Sequence, residues 1–189
     1  MHPIRDPEVA AALALFEQFL PGGLDLSGDI PAARALLQQM FAGMAAQAPE
    51  IPGVETSDHY APGPEGAPEV MVRVYQPSDR PDTLPALLWI HGGGYVLGSV
   101  AEDDVKAKVM ALQLNCVVAS VEYRLAPEHP FPAGVEDCYA ALKWFVANAA
   151  QFGVDAARVA IGGASAGGGL AACLGLLTRD RGEIDLAYQ

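Results

Sequence analysis

Ser165 stands between glycines in the run Ile161-Gly162-Gly163-Ala164-Ser165-Ala166-Gly167-Gly168-Gly169, and a hydroxyl in such a setting can serve as a nucleophile. The β-branched stretch Val159-Ala160-Ile161 leads into it, and Leu170 to Thr178 reads as a helix leading out. This is the sequence form of a strand-turn-helix elbow with G-x-S-x-G at its tip. A serine on so tight a turn has a strained backbone, and side chains two residues before and after it would strike the strand and the helix. Gly163 and Gly167 remove those side chains. The Ala166 N–H then opens a helix, where unsatisfied donors and the helix dipole favour a developing oxyanion.

A second stretch, His91-Gly92-Gly93-Gly94-Tyr95, directly follows a buried strand ending at Ile90. Three successive glycines let the backbone approach a ligand and turn N–H groups toward it. Each well-aimed donor is worth about 2.7–4 kcal/mol to a transition state that carries negative charge on oxygen. The same glycines permit a rival reading, a dinucleotide site with Gly92, Gly94 and Gly98 near the phosphates and Glu122 near a ribose. Leu97 occupies the position where G-x-G-x-x-G needs its third glycine, and that reading leaves the Ser165 elbow unexplained.

The elements that must position these residues follow from periodicity. Val9, Leu13, Phe16 and Leu20 form a helical stripe from Asp6 to Leu20, ended by Pro21-Gly22-Gly23. A second helix starts at Pro31 with Asp29 as a candidate N-cap, and bears Leu36, Leu37, Met40, Phe41 and Met44 on a broad apolar face. Both precede every strand, so they are expected to lie on the sheet as an appendage. Pro49 to Pro68 reads as a connector with a short strand near Val54 to Asp58. Val70, Val72 and Val74 alternate with Met71, Arg73 and Tyr75, which predicts a half-exposed antiparallel edge strand.

Beyond this point buried strands alternate with helices. Ala86 to Ile90 and Cys116 to Val121 are strands; Asp103 to Leu114 is a helix expected to present Val105, Val109 and Leu112. A second helix presents Val135, Cys138, Tyr139, Leu142, Phe145, Val146 and Ala149, and Gly153 stops it. Continuous apolar strands are covered on both faces, so the expectation is an α/β fold with a mostly parallel sheet and helices on both faces. Arg179 to Glu183 reads as a polar turn, and Ile184 to Tyr188 as the opening of a further strand.

The chain has 189 residues, enough for one sizeable core. Its 23 acidic and 11 basic side chains give a formal charge of −12, which repels phosphate backbones and anionic lipid. Nucleic acid and membranes are therefore not expected as partners. Cys116, Cys138 and Cys173 are odd in number, lack C-x-x-C spacing and sit among apolar neighbours, so buried reduced thiols are expected rather than disulfides or metal ligands. The N-terminus lacks the apolar core of a secretory signal and no stretch is long enough to span a bilayer, which predicts a soluble cytoplasmic protein.

Three stretches together, His91 to Gly94, Tyr123-Arg124-Leu125-Ala126-Pro127-Glu128-His129-Pro130-Phe131-Pro132-Ala133, and the Ser165 elbow, resemble the hormone-sensitive-lipase branch of the α/β-hydrolases in content, order and spacing. The resemblance implies an α/β-hydrolase-type core over 51–189 and an N-terminal helical cap segment over 1–50 that helps to line an acyl pocket. It implies Ser165 as nucleophile, Gly93, Gly94 and Ala166 as backbone donors of an oxyanion hole, and His91 and Gly92 as loop support. It also implies a carboxylesterase acting on small or medium acyl esters, without metal or organic cofactor. The branch often has an acidic residue before the serine, where this chain has Ala164. In the Tyr123–Ala133 run, Arg124 and Glu128 are expected to pair, three prolines to fix a stiff extended path, and His129 to be structural or exposed.

In this fold the acid and the histidine base follow the serine in the chain. Asp180, Glu183 and Asp185 follow Ser165, but His2, His59, His91 and His129 all precede it. A serine without a base is a weak nucleophile. The sequence is therefore expected to be the truncated N-terminal part of a hydrolase whose acid and base lie beyond 189; alternatively it is a non-catalytic module that binds a ligand or partner.

Overall fold

The structure, a computed structural model, describes residues 6–19, 22–23, 25–45 and 50–189. Leu20, Pro21, Pro49 and His2 lie outside the described residues, as do the side chains of Phe16 and Met44. Two N-terminal helices, α1 (Pro7–Phe19) and α2 (Ile30–Ala45), precede strands β1 (Val54–Ala61), β2 (Val70–Pro77) and β3 (Leu84–Ile90). Helix α3 (Asp104–Leu114), β4 (Val117–Glu122), α4 (Ala133–Ala147), β5 (Val154–Gly163) and α5 (Ala166–Arg181) follow. The Asp29 carboxylate accepts the Ala32 N–H at 3.0 Å, so it caps α2 as its position predicts.

The strands form one mixed sheet in the order β1-β2-β4-β3-β5. β3 runs parallel to both β4 and β5, whereas β1–β2 and β2–β4 are antiparallel. The Val70–Tyr75 strand is thus not the edge: β1, longer than its sequence suggests, covers it on the outside. Tyr75 is fully buried because it turns under α3 and donates to Asp104 at 2.9 Å.

One face of the sheet carries most of the core. Val72, Val74, Leu88, Ile90, Val117, Ala119 and Val121 meet Leu142 and Phe145 of α4 and Leu170 and Leu174 of α5. Across the sheet, α3 packs on Tyr75, Val118 and Cys116 through Ala107 and Ala111. The expected Val105–Val109–Leu112 face is not the buried one, since Val105 and Leu112 are exposed. Tyr75 and Trp89 are bulky on this side, and only an alanine face lets the helix approach them.

The elbow helix runs into the expected polar turn as far as Arg181, with Gly182 in the left-handed region after it. Ala187 and Tyr188 lie alongside β5, where the Ala187 N–H donates to Val159 O at 2.8 Å and the Ile161 N–H to Tyr188 O at 3.0 Å. Cys116 and Cys138 are buried free thiols, and burial pushes that of Cys116 up to about 11. Cys173 is free but exposed, because Leu170, Ala171 and Leu174 take the side of α5 that faces the core and Cys173 lies off it. No helix among the described residues is long and apolar enough to cross a membrane.

Candidate active site

Ser165 caps α5 with φ 53° and ψ −117°, a conformation a non-glycine residue holds only under constraint. The constraint is visible on both sides. A Cβ on Gly163 would meet the Gly167 backbone, and one on Gly167 would overlap the Ile90 and His91 carbonyl oxygens. The Ala164 N–H donates to Ile90 O at 3.2 Å, which ties the elbow to the end of β3. The serine is exposed, and its hydroxyl makes no hydrogen bond among the described residues.

The second glycine stretch lies against this elbow. A Cβ on Gly92 would come within 2.9 Å of Ala164 O and 3.6 Å of Ser165 Cβ, so the missing side chain permits the contact. Gly93 (φ 125°), Gly94 (φ 63°) and Tyr95 (φ 67°) all take positive φ. Their turn closes through Val96 and Leu97 N–H groups donating to Gly93 O at 3.1 and 2.8 Å. Among the described residues, the N–H groups of Gly93, Gly94 and Ala166 have no acceptor. An open hydroxyl beside partnerless amides is the arrangement that acyl transfer through an anionic tetrahedral intermediate requires.

His91 is 1% exposed, and its Nδ1–H donates to Gly92 O at 2.8 Å while its ring stacks on Tyr123 at 4.3 Å. Tyr123 in turn donates its hydroxyl proton to His91 O at 3.0 Å. Burial holds the imidazole pKa below its ordinary value, keeping the ring neutral. Its surroundings therefore suit a loop support and not a base facing Ser165. Glu122, the acid of the dinucleotide reading, accepts the Val100 N–H at 2.8 Å and so holds the far end of the same loop.

Two expectations for the Tyr123–Ala133 run are corrected. Arg124 does not pair with Glu128; it forks onto Asp137, whose buried carboxylate also takes the Arg124 N–H at 2.9 Å. Glu128 instead pairs with Arg34 of α2 at 2.8 Å. The path is turned, not extended: the His129 N–H reaches back to Leu125 O at 2.9 Å and the Ala133 N–H to Pro130 O at 3.0 Å. His129 is exposed, as expected.

The run borders a cavity of about 460 Å³ that also touches Gly94, Tyr95, Gly169 and Leu170. A second cavity, of about 260 Å³, lies between Leu37 and Phe41 of α2 and the Gly92–Gly93 segment. Asp180 is in the last turn of α5, roughly 22 Å from Ser165 by helix rise, and Glu183 and Asp185 follow the end of that helix. There Asp180 pairs with Arg179 and Glu183 with Lys143. His59 packs edge-on against Phe152 at 4.9 Å, away from the elbow. Among the described residues no cluster of metal-ligating side chains is present.

Residues 87–189 match the α/β-hydrolase fold family. The chain belongs to that family. The α/β-hydrolase relatives include carboxylesterase NlhH of Mycobacterium tuberculosis, 37% identical over 186 residues, covering 98% of this chain and 57% of that protein. Arylacetamide deacetylase of Oryctolagus cuniculus is 47% identical over 110 residues, covering 56% of this chain and 28% of that protein. Among solved structures, a bacterial heroin esterase superposes with a TM-score of 0.89 at 44% identity, over 97% of this chain and 56% of its own. The hyperthermophilic esterase from the archaeon Pyrobaculum calidifontis gives 0.84 at 38% identity, over 100% of this chain and 58% of its own. These relatives put the chain in the hormone-sensitive-lipase-like branch of the α/β-hydrolases. The chain spans about half the length of the relatives it matches.

The sequence left Arg34, Asp137 and Glu122 without their actual partners. Arg34 carried one signal: no other lysine or arginine lies between Arg5 and Arg73. Its acceptors are 62 to 94 residues away, a separation no local pattern encodes.

Proposed function

We infer that the protein is a carboxylic-ester hydrolase working through an acyl-enzyme on Ser165. The observation that carries this reading is the constrained, exposed Ser165 beside the amides of Gly93, Gly94 and Ala166, which have no acceptor among the described residues. In the proposed reaction the Ser165 hydroxyl adds to the ester carbonyl and gives its proton to a histidine base. The carbonyl oxygen takes the negative charge toward the three N–H groups. The tetrahedral adduct then collapses, the base returns the proton to the departing alcohol, and water repeats the sequence to release the acid. His91 and Gly92 shape the oxyanion loop.

The base and its acid are proposed to come from sequence beyond residue 189, as the serine-then-acid-then-histidine order of this fold requires. Segment 1–50 is proposed as a cap over the 51–189 core. The cavity of about 460 Å³ is within the range of small-molecule sites and supports small or medium acyl esters as substrates. The chemistry calls for no cofactor.

The test is fluorophosphonate labelling of the natural protein with parallel hydrolysis of p-nitrophenyl esters. Labelling and turnover that both vanish in Ser165→Ala are expected. Residues 1–189 alone should turn over on the order of 10⁶-fold more slowly than the protein with its base. A natural protein that folds but neither labels nor hydrolyses any ester would be a ligand- or partner-binding module instead.

A further inference from the structure

The Arg34 guanidinium joins α2 to the loop after Gly93 and to the Leu125–Glu128 turn. Arg34 projects from α2 on the face that also half-buries Ala33, Leu37 and Met40, with only 16% of its side chain exposed. Its Nε–H donates to Val96 O at 2.8 Å and its Nη2–H to Ala126 O at 2.9 Å. Nη1 and Nη2 also fork onto the two Glu128 oxygens at 2.8 and 3.0 Å. Val96 is the residue whose N–H closes the turn on Gly93 O, and the Ala126 N–H donates to Tyr95 O at 2.9 Å. Arg34 therefore grips the oxyanion loop and the Leu125–Glu128 turn where they already touch.

That grip falls on a segment that needs one. Gly93 and Gly94 take positive φ at no steric cost and so do not fix the loop themselves, while Tyr95 holds φ 67°, which a non-glycine residue keeps only where its surroundings over-determine it. A planar fork can meet acceptors in three directions at once, which a lysine ammonium on its flexible stem cannot reproduce. We propose that Arg34 is a positioning residue that fixes the Gly93 and Gly94 amides for the oxyanion, coupling the seating of α2 to the chemistry at Ser165. This rests on the reading of Ser165 as an ester-cleaving nucleophile. Donors that act on charge developing in the transition state affect turnover more than substrate binding.

The experiment compares the natural protein with its Arg34→Ala, Arg34→Lys and Glu128→Gln variants on p-nitrophenyl butyrate, with kcat counted per serine titrated by fluorophosphonate. Arg34→Ala is expected to lower kcat about 10- to 100-fold, the cost of slightly misplaced groups, with KM changed by no more than about 3-fold. Arg34→Lys should lose at least about 5-fold, and it decides the matter if the alanine variant does not fold. Glu128→Gln, which keeps the Val96 and Ala126 bonds, should lose least. An unchanged kcat per titrated serine in Arg34→Ala, or in Arg34→Lys if alanine does not fold, overturns the proposal.

Amide exchange supplies a readout that needs no turnover. In Arg34→Ala, the Val96 and Leu97 amides should exchange at least about 10-fold faster, while Val118 to Val121 of β4 stay unchanged. Unaltered exchange at Val96 and Leu97 overturns the role of Arg34 by itself. A natural protein that hydrolyses no ester, yet shows this exchange difference, overturns only the reading of Ser165 and leaves the loop-holding role standing.

Discussion

The elbow and helix α2 are held in the fold by different physics. Around Ser165 the fixing contacts are backbone on backbone: Ala164 N–H on Ile90 O, and Gly163 and Gly167 pressed against neighbouring peptide groups. Behind them stand fully buried side chains such as Leu88, Ile90, Leu142 and Phe145. Helices α1 and α2 instead leave Val9, Leu13, Leu15 and Leu36 exposed, and the firmest described tie of α2 is the polar fork of Arg34. Backbone contacts carry no titrating group of their own, so their strength does not change with pH while the core stays folded. A helix attached through one guanidinium can be loosened by a single substitution or by protonation of its carboxylate partner.

This contrast predicts a steep gradient in mutational cost. Phe145→Ala should cost the most, about 4 kcal/mol, because a fully buried aromatic leaves a cavity between α4 and the sheet. Urea unfolding of the purified chain measures it, and a loss below about 1 kcal/mol would mean that α4 is not bound by burial. Gly167→Ala should follow at about 3 kcal/mol, since the new methyl group meets the Ile90 and His91 carbonyl oxygens. The same variant should stop fluorophosphonate labelling, as relief of the clash moves Ser165. A Gly167→Ala protein that unfolds and labels as the parent does would show that the elbow tolerates side chains.

The two regions were also unequally legible. The elbow and the strand after which His91 follows are local in sequence, so steric reasoning about Gly163, Gly167 and Ser165 is enough to locate them. The α4 face was equally readable, because large apolar residues at helical spacing have one place to go. The α3 face was misread: hydrophobicity pointed to Val105 and Leu112, whereas the bulk of Tyr75 and Trp89 on the sheet selects Ala107 and Ala111. Pairing of charges failed for a related reason. Arg124 and Glu128 are near in sequence, but the turns between them aim Arg124 at Asp137 and leave Glu128 for Arg34, 94 residues away. Which partner wins depends on how α2 and α4 dock, and docking is not written in local spacing.

The polar tie predicts a pH response with a definite sign. The hydrogen bonds from Arg34, aided by the Glu128 backbone N–H, bring the Glu128 carboxyl from 4.5 to about 2. The folded value lies below the unfolded one, so the tie is at full strength above about 4.5 and is lost as pH falls from there through about 2. A ¹³C carboxyl titration should place the Glu128 midpoint near 2 in the parent and clearly higher in Arg34→Ala, short of 4.5 because the Glu128 backbone N–H still bonds the carboxylate. Equal midpoints in the two proteins would show that the fork is not what holds the helix.

The smallest effect is expected at the opposite extreme of the gradient. Leu13 of α1 keeps 47% of its surface in water, so Leu13→Ser removes little buried area and should change stability by no more than about 0.5 kcal/mol. Helix propensity pushes the same way only weakly, because serine ranks just a few tenths of a kcal/mol below leucine. Urea unfolding of Leu13→Ser beside Phe145→Ala therefore compares two apolar side chains on helices of one chain that differ chiefly in burial. A Leu13→Ser loss above about 1.5 kcal/mol would mean that α1 buries its apolar stripe in solution, and the division between a packed core and a lightly tethered N-terminal segment would have to be redrawn.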